Sequence, residues 1–393
     1  MNRLLRISFD TLLTSLTPIL GWFLLGILVD SDLINIFSLT YPLQFIISAI
    51  KSVFGTGANV SAVRDNNKNS VFSGVLLGGI FGAIILGIVL INIDKYIFFM
   101  NMNPDIYRTF GIYAVLQMFL QLLLSLAQCK LYYEGENKRA NKYSIVFNMI
   151  IFLTLVVMSL ITKEQILIAS ISLIATTIFV IFMLFRLIRR TRIQINILNC
   201  IKYDAVQLFN EITMFLIYLF GFKNVFDFGE KYILANSFTT LIPDTQWDIA
   251  YSVKILAQID ITNKVFSYKE HIKNSKKLMC LLIASMIIMG LILYPFYLTD
   301  INVTLIYLSI DIICMYLYPI YTIKLTYIQM EFSAIKATVS KQISNILRVI
   351  SSFISTPFCT GIGLILSVIY QSASTHFHIV KNKINMEMNT KKL

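Results

Sequence analysis

An all-α polytopic membrane fold, with about twelve transmembrane helices in two pseudo-symmetric six-helix bundles enclosing a central cleft, is predicted by three features of this sequence. Of its 393 residues, 57% are hydrophobic and only 14% charged, and the mean hydropathy of +0.73 lies well outside the composition of soluble domains. Apolar runs of about 20 residues, the length that crosses a ~30 Å hydrocarbon core, recur along nearly the whole chain. Basic residues gather in alternate links between these runs, as positive-inside topology requires.

The expected spans of the first half are 9–29, 34–61, 72–93, 105–132, 143–161 and 164–187, and those of the second are 205–226, 232–262, 278–298, 302–329, 337–356 and 361–380. The first apolar run, from Leu12 to Val29, has no small-residue cleavage site and leads at once into another span, so it reads as a helix and not as a removable signal. Pro42 in the second span and Pro243 in the eighth each remove a backbone donor within the membrane, which marks them as candidate hinges. Gly74, Gly78 and Gly82 form a small-residue stripe on the third span that lets another helix approach closely. After the fourth span, Glu134 and Lys138 have the i,i+4 spacing of a surface pair.

Two links are longer, basic and polar, Ile188–Lys202 and Asn263–Lys277. The first divides the chain into an N-terminal six-helix lobe at 1–188, a cytoplasmic linker at 189–203, a C-terminal six-helix lobe at 204–380 and a cytoplasmic tail at 381–393. Placing the N-terminus, the even-numbered links and the tail inside collects most of the 33 basic residues there, so both termini of a multi-pass cell-membrane protein are expected in the cytoplasm. Superposing the halves matches Glu134 with Glu331, Arg139 with Lys336, Ala140 with Ala337 and Asn148 with Asn345. With an even number of spans in each half, these are parallel repeats related about the membrane normal, and a cleft between them follows.

The formal charge of +12 finds its partner in anionic lipid headgroups and not in nucleic acid, because the spans leave no soluble domain to dock on it. The cysteines Cys129, Cys200, Cys280, Cys314 and Cys359 are scattered without metal-ligand or disulfide spacing. His376 and His378 are two residues apart and do not share a helical face, so no metal set arises. Gly55-Thr56-Gly57 lacks the strand, third glycine and lysine of a nucleotide loop, and no HExxH or serine–histidine pairing appears. No catalytic residue, metal or cofactor is therefore assigned, and an enzyme is not expected.

Three segments resemble the multidrug and toxic compound extrusion (MATE) family, within the superfamily that also contains lipid-linked oligosaccharide flippases. Phe54-Gly55-Thr56-Gly57-Ala58-Asn59-Val60-Ser61-Ala62-Val63-Arg64 resembles the family's glycine-rich helix end running into a cytoplasmic link. Glu134-Gly135-Glu136-Asn137-Lys138-Arg139-Ala140 through Asn148 is similar to its link between helices 4 and 5. Asn210-Glu211-Ile212-Thr213-Met214-Phe215 resembles the acidic helix-7 motif of its sodium-coupled branch. The chain departs from the family at Trp22, where many members carry an acid in helix 1, and near Pro319, where the sodium-coupled branch has an aspartate. The resemblance implies a twelve-helix transporter that works by alternating access.

Ionisable groups within a span cost about 2.5–3.5 kcal/mol and so face cavities, pair with one another or mark an ion path. Glu211, Asp244, Asp248 and Asp311 form the candidate cation-coupling set, Asp244 and Asp248 lying on one helical face and Asp260 near the end of the same span. The bland alternative is that these acids neutralise Lys254 and Lys324 and fix helix register. Lys51 and Lys254 lie at comparable depth in the second helix of each half and, with Gln44 and Trp247, are assigned to the substrate cleft, where two ammonium groups suit an anion.

Three functions follow, in order. The first is a cation-coupled exporter, driven by Na⁺ or H⁺, of an amphipathic small molecule. The second is a flippase or exporter of an anionic lipid-linked or peptide substrate, and the third a non-transporting membrane immunity or assembly factor. The expected partners are the bilayer and that small amphipathic or lipid-linked substrate, with no nucleic acid, and the expected state is a monomer.

Overall fold

The computed structural model describes residues 4–5, 19–187, 194–263 and 268–381. The start of the first span, residues 188–193 of the linker, residues 264–267 and the tail from 382 lie outside the described residues. Every regular element among the described residues is a helix. The helices are α1 (Ile19–Leu28), α2 (Ser31–Arg64), α3 (Asn69–Ile91), α4 (Ile93–Phe99), α5 (Pro104–Tyr133), α6 (Asn137–Ile161) and α7 (Gln165–Leu187). There follow α8 (Ile197–Phe226), α9 (Glu230–Ala250), α10 (Ser252–Thr262), α11 (Tyr268–Tyr297), α12 (Ile301–Tyr327), α13 (Ala334–Ser352) and α14 (Cys359–Lys381). Taking α4 as the foot of α3 and α10 as the continuation of α9, each expected span is matched by one helix.

Eight of these helical stretches are long and apolar enough to cross a membrane, which makes this a multi-pass membrane protein. The exceptions have physical reasons. Of the first span only residues 19–29 are described, helical over Ile19–Leu28, α9 and α10 carry Asp244, Asp248, Lys254 and Asp260, and α13 carries Lys336, Lys341 and Arg348. In α13 and α14 the polar residues face each other: Ser344 and Ser367 hydroxyls lie 2.5 Å apart, Ser340 and Ser374 2.9 Å apart, and Gln371 donates to Ser344 at 2.8 Å. Gly363 lets the backbones close up, since a Cβ there would lie 3.2 Å from Arg348 Cα.

Local sequence sets the helix ends. Asn103 accepts from the Asp105 amide ahead of Pro104, and Asp300 accepts from the amides of Asn302 and Val303, each satisfying N–H groups left unpaired in a first turn. Between α5 and α6 the chain turns through Gly135 at φ +79, a left-handed conformation that glycine adopts without strain. This turn corrects one expectation: Lys138 belongs to the next helix, so Glu134 pairs instead with Lys130, one turn back on α5, at 2.8 Å.

The chain forms two compact units, one within Thr17–Asp227 and the other from Phe228 onward. In the first unit, α8, the seventh expected span, packs along α2 through an aromatic ladder. The Tyr41 and Tyr218 rings meet edge to face at 4.8 Å, Phe45 stacks on Tyr218 at 5.2 Å, and Phe222 lies 5.9 Å from Tyr41. Each such pair contributes about 0.5–1.5 kcal/mol beyond its buried area. The glycine stripe of α3 fits against two helices: an added Cβ at Gly74 would sit 2.2 Å from the Phe54 carbonyl oxygen of α2, and one at Gly82 would sit 2.2 Å from a Leu122 methyl of α5. Behind them α5 and α7 are joined by Gln117 donating to Thr176 and by Tyr113 with Ser172, both at 2.9 Å.

Candidate functional site

The most distorted part of the first unit is where α2 and α8 meet. Ser52–Gly57, the start of the glycine-rich segment, winds as a π-helical turn inside α2, a local widening common at functional positions. Its glycines permit close contact: a Cβ at Gly55 would lie 2.7 Å from Cys129 Sγ of α5, and one at Gly57 2.5 Å from the Cys200 carbonyl oxygen of α8. Opposite this turn α8 is itself kinked, with Asp204 at φ −123 and ψ 19. The two irregularities are tied together, because the buried Ser52 hydroxyl donates to Asp204 Oδ2 at 2.5 Å. Lys51 precedes the turn, and both its ammonium and the Asp204 carboxylate act electrostatically on buried Cys129.

Further along α8, Glu211 is 8% exposed. Gln207, one turn earlier, donates its amide N–H to Glu211 Oε1. A carboxylate withdrawn from water this far requires such donors, or a proton, to remain. At the opposite end of α8, Asp65 follows the last turn of α2 and accepts from Ser61 at 2.6 Å, Tyr203 at 2.8 Å and Asn199 at 3.1 Å. These bonds, that from Ser61 foremost, hold its carboxyl below the usual carboxylate range, and the Arg64 guanidinium adds to the effect. Asp65 and Asn199 border a polar cavity of about 620 Å³ lined also by Ser61, Lys68, Gln194 and Asn196.

In the second unit the indole N–H of Trp247 on α9 donates to Asp311 Oδ1 on α12 at 3.2 Å. Trp247 stacks edge to face on Tyr318 at 5.5 Å, and Tyr318 on Tyr321 at 5.6 Å, so the carboxylate sits in an aromatic wall. Arg348 on α13 acts electrostatically on Asp311 and on Cys314. Lys254 lies over the Tyr251 ring, its ammonium 3.3 Å from the phenol oxygen.

The residues singled out in the sequence therefore divide. Pro42, Gln44, Lys51 and Glu211 belong to the first unit; Pro243, Asp244, Trp247, Asp248, Lys254 and Asp311 belong to the second. Of these, Trp247 and Asp311 are in direct contact. Asp244 is half-buried and Asp248 exposed. Both prolines sit inside continuous helix, whereas irregular backbone lies at 52–57 in α2, at Asp204 in α8, at Tyr251 between α9 and α10, and in a second π-helical turn at Ile328–Phe332 after α12.

Three charged residues in these networks, Asp65, Asp204 and Arg348, escaped the sequence reading; Asp65 stands in the link after the second span, where a charge reads as solvated. Asp204 stands at the border of link and span, where a charge reads as interfacial. Arg348 lies well inside the stretch 337–356, and its position there was the available signal.

No protein-family model matches this sequence, nor does any curated protein. Solved structures do match in fold. An inward-facing conformation of a multidrug resistance MATE family transporter of the MOP superfamily aligns at a TM-score of 0.65 and 13% identity, over 98% of this chain and 94% of that one. The outward-facing conformation of a transporter with the same description aligns at 0.64 and 15%, over 98% and 95%. A MOP superfamily transporter from Pyrococcus furiosus, described as having a binding pocket of reverse polarity, aligns at 0.66 and 14%, over 98% and 95%. The fold is thus the all-helical, two-bundle architecture of MATE transporters.

Proposed function

We propose that this chain is a secondary active exporter resembling MATE proteins, in which entry of Na⁺ or H⁺ drives efflux of an amphipathic small molecule by alternating access. It would act without enzymatic chemistry, as a monomer in the cell membrane with both termini in the cytoplasm. What carries the reading is Glu211: a carboxylate 8% exposed on a helix whose residues 210–215 resemble a coupling motif, within a fold shared over 98% of the chain with MATE transporters. Asp311, held by Trp247 and facing Arg348, is the corresponding candidate in the second unit.

In proteoliposomes with an imposed cation gradient, Glu211→Gln is expected to abolish efflux of a fluorescent amphipathic cation while the variant stays folded. Unchanged efflux would remove Glu211 from the coupling role. The flippase reading draws on half-buried Lys51 and Lys254; replacing both with alanine should stop transport of anionic lipid-linked substrates and spare cationic ones if that reading holds.

A further inference from the structure

We infer that the polar cavity between the α2–α3 link and the start of α8 binds the headgroup of an anionic inner-leaflet lipid that carries a phosphate and free hydroxyls, as a glycerophosphoglycerol headgroup does. The site is distinct from Glu211, which lies twelve residues, about 18 Å of helix, beyond Asn199.

The whole cavity belongs to the first unit, and its walls are fixed before any ligand arrives. Asn67 donates to the Gln194 carbonyl oxygen at 3.2 Å, Asn69 to Gln194 Oε1 at 3.3 Å, and the Gln194 backbone N–H to Ser73 at 2.8 Å. The link after α2 is thereby clamped to the chain that leads into α8. Asp65 is committed to the same frame, since Ser61 and Asn199 donate to its Oδ2 and Tyr203 to its Oδ1. The hollow left inside, about 620 Å³, has the size of a small-ligand site. A wall already held in place loses little order on binding.

The groups this frame does not use choose the ligand. Among the described residues they are the side-chain N–H groups of Gln194 and Asn196, the Lys68 ammonium and the Asn199 amide oxygen, all on residues that line the cavity. A phosphate accepts from the ammonium and the amides, and a hydroxyl gives its proton to Asn199 while accepting from the rest. A metal ion is poorly served, because Asp65 is the one acid among the lining residues and both its oxygens already face donors. Around the site stand Arg64, Lys68 and Lys202 against Asp65 and Asp204. Both carboxylates are answered within the protein, Asp204 by Ser52, so the balance of charge left for a ligand is positive.

The rim says that this ligand is a lipid. Val63, two residues before Asp65, and Leu198, one before Asn199, are 71% and 78% exposed. Each stands at the end of a helix long enough to cross a membrane, Ser31–Arg64 and Ile197–Phe226. A polar hollow and apolar side chains thus lie side by side at helix ends, as at the level where headgroups meet acyl chains. A soluble sugar phosphate would leave both side chains in water. The α2–α3 link and the linker before α8 are even-numbered links, which the basic residues place in the cytoplasm, and the leaflet is accordingly the inner one.

The test uses the full chain, delipidated in detergent, with bound lipid counted by native mass spectrometry as lipid is added back. Phosphatidylglycerol should bind roughly fivefold or more tightly than phosphatidylethanol, which has the same phosphate and charge but no hydroxyls, and than zwitterionic phosphatidylcholine. Lys68 is exposed, so Lys68→Gln should fold and lower phosphatidylglycerol affinity about fivefold, whereas Lys68→Arg should keep it. Gln194→Glu preserves the acceptor for Asn69 and adds a negative charge to the wall; it should weaken binding further. Lys95→Gln, on exposed α4, should change nothing. Equal affinity for the three lipids, or affinity unchanged in both Lys68→Gln and Gln194→Glu, would overturn the site. Phosphatidylethanol bound as tightly as phosphatidylglycerol would overturn recognition of the hydroxyls. Free glycerol 1-phosphate bound as tightly as the lipid, and lost in the same variants, would overturn the lipid and give the cavity to a soluble phosphate.

Discussion

The Ser52 hydroxyl donates to the Asp204 carboxylate at 2.5 Å and so joins a π-helical turn in α2 to a kink in α8. Neither distortion has a proline to cause it, and each leaves backbone groups out of the regular ladder. The bond holds together two helices that would otherwise be free to straighten separately. Ser52→Ala is therefore expected to lower stability by roughly 1–3 kcal/mol, because it strands a half-buried carboxylate. Asp204→Asn, which keeps the acceptor, should cost less. Thermal unfolding in detergent checks the order, and a Ser52→Ala protein as stable as the parent would show that the contact holds nothing.

The α3 glycines give a second contrast. At Gly74 an added methyl would meet the Phe54 carbonyl oxygen at 2.2 Å and the Ala58 Cβ at 2.8 Å, both on rigid helix, whereas at Gly87 it would meet nothing within 4 Å. Gly74→Ala should destabilise by roughly 1–3 kcal/mol through forced separation of α2 and α3. Gly87→Ala should be neutral or stabilising by up to about 1 kcal/mol, from helix propensity alone. Comparing the two melting temperatures tests this, and equal losses would refute the close-packing account of the stripe.

Apolar periodicity and charge placement made the helices legible because a bilayer allows so few alternatives. The stripe Gly74, Gly78 and Gly82 could be read as a packing surface, and Glu211 as an acid withdrawn from water. Contacts between distant segments were not legible. Nothing in the local sequence near Asp204 says that Ser52 will reach it, and although Arg348 stands inside the span 337–356, nothing near it says that Asp311 on another helix will share its field. The π turn of α2 was not legible either, since it arises where Gly55 and Gly57 let α2 press on α5 and α8. The pairing of Glu134 failed for a related reason, since the turn at Gly135 starts a new helix axis.

Asp65 predicts a pH dependence. Its folded pKa lies below its ordinary value of 3.8 because Ser61, Tyr203 and Asn199 donate to it and Arg64 lies nearby. A depressed folded pKa means that the ionised form is favoured by folding, so the contribution is full above about pH 4 and fades as pH falls through the folded value. Asp65→Asn should accordingly melt lower than the parent at neutral pH, and the two melting curves should converge on acidification below the ordinary carboxylate range. A gap that persists unchanged in acid would mean that Asp65 contributes through shape and not through charge.

Asp311 on α12 receives the Trp247 indole N–H at 3.2 Å and lies in the field of the Arg348 guanidinium on α13, with Tyr318 and Tyr321 closing the surroundings. Water is scarce there, so removing either charge leaves the other poorly solvated. Both are half-buried, so the single variants Asp311→Asn and Arg348→Met should each destabilise by roughly 1–3 kcal/mol. The double variant removes both charges, and it should be less damaged than the sum of the singles by roughly 1–3 kcal/mol. Unfolding measurements on all four proteins yield that difference directly. Strict additivity would show that Arg348 answers some other group and that Asp311 relies on Trp247 alone, which would in turn leave Asp311 freer to serve as a second coupling carboxylate.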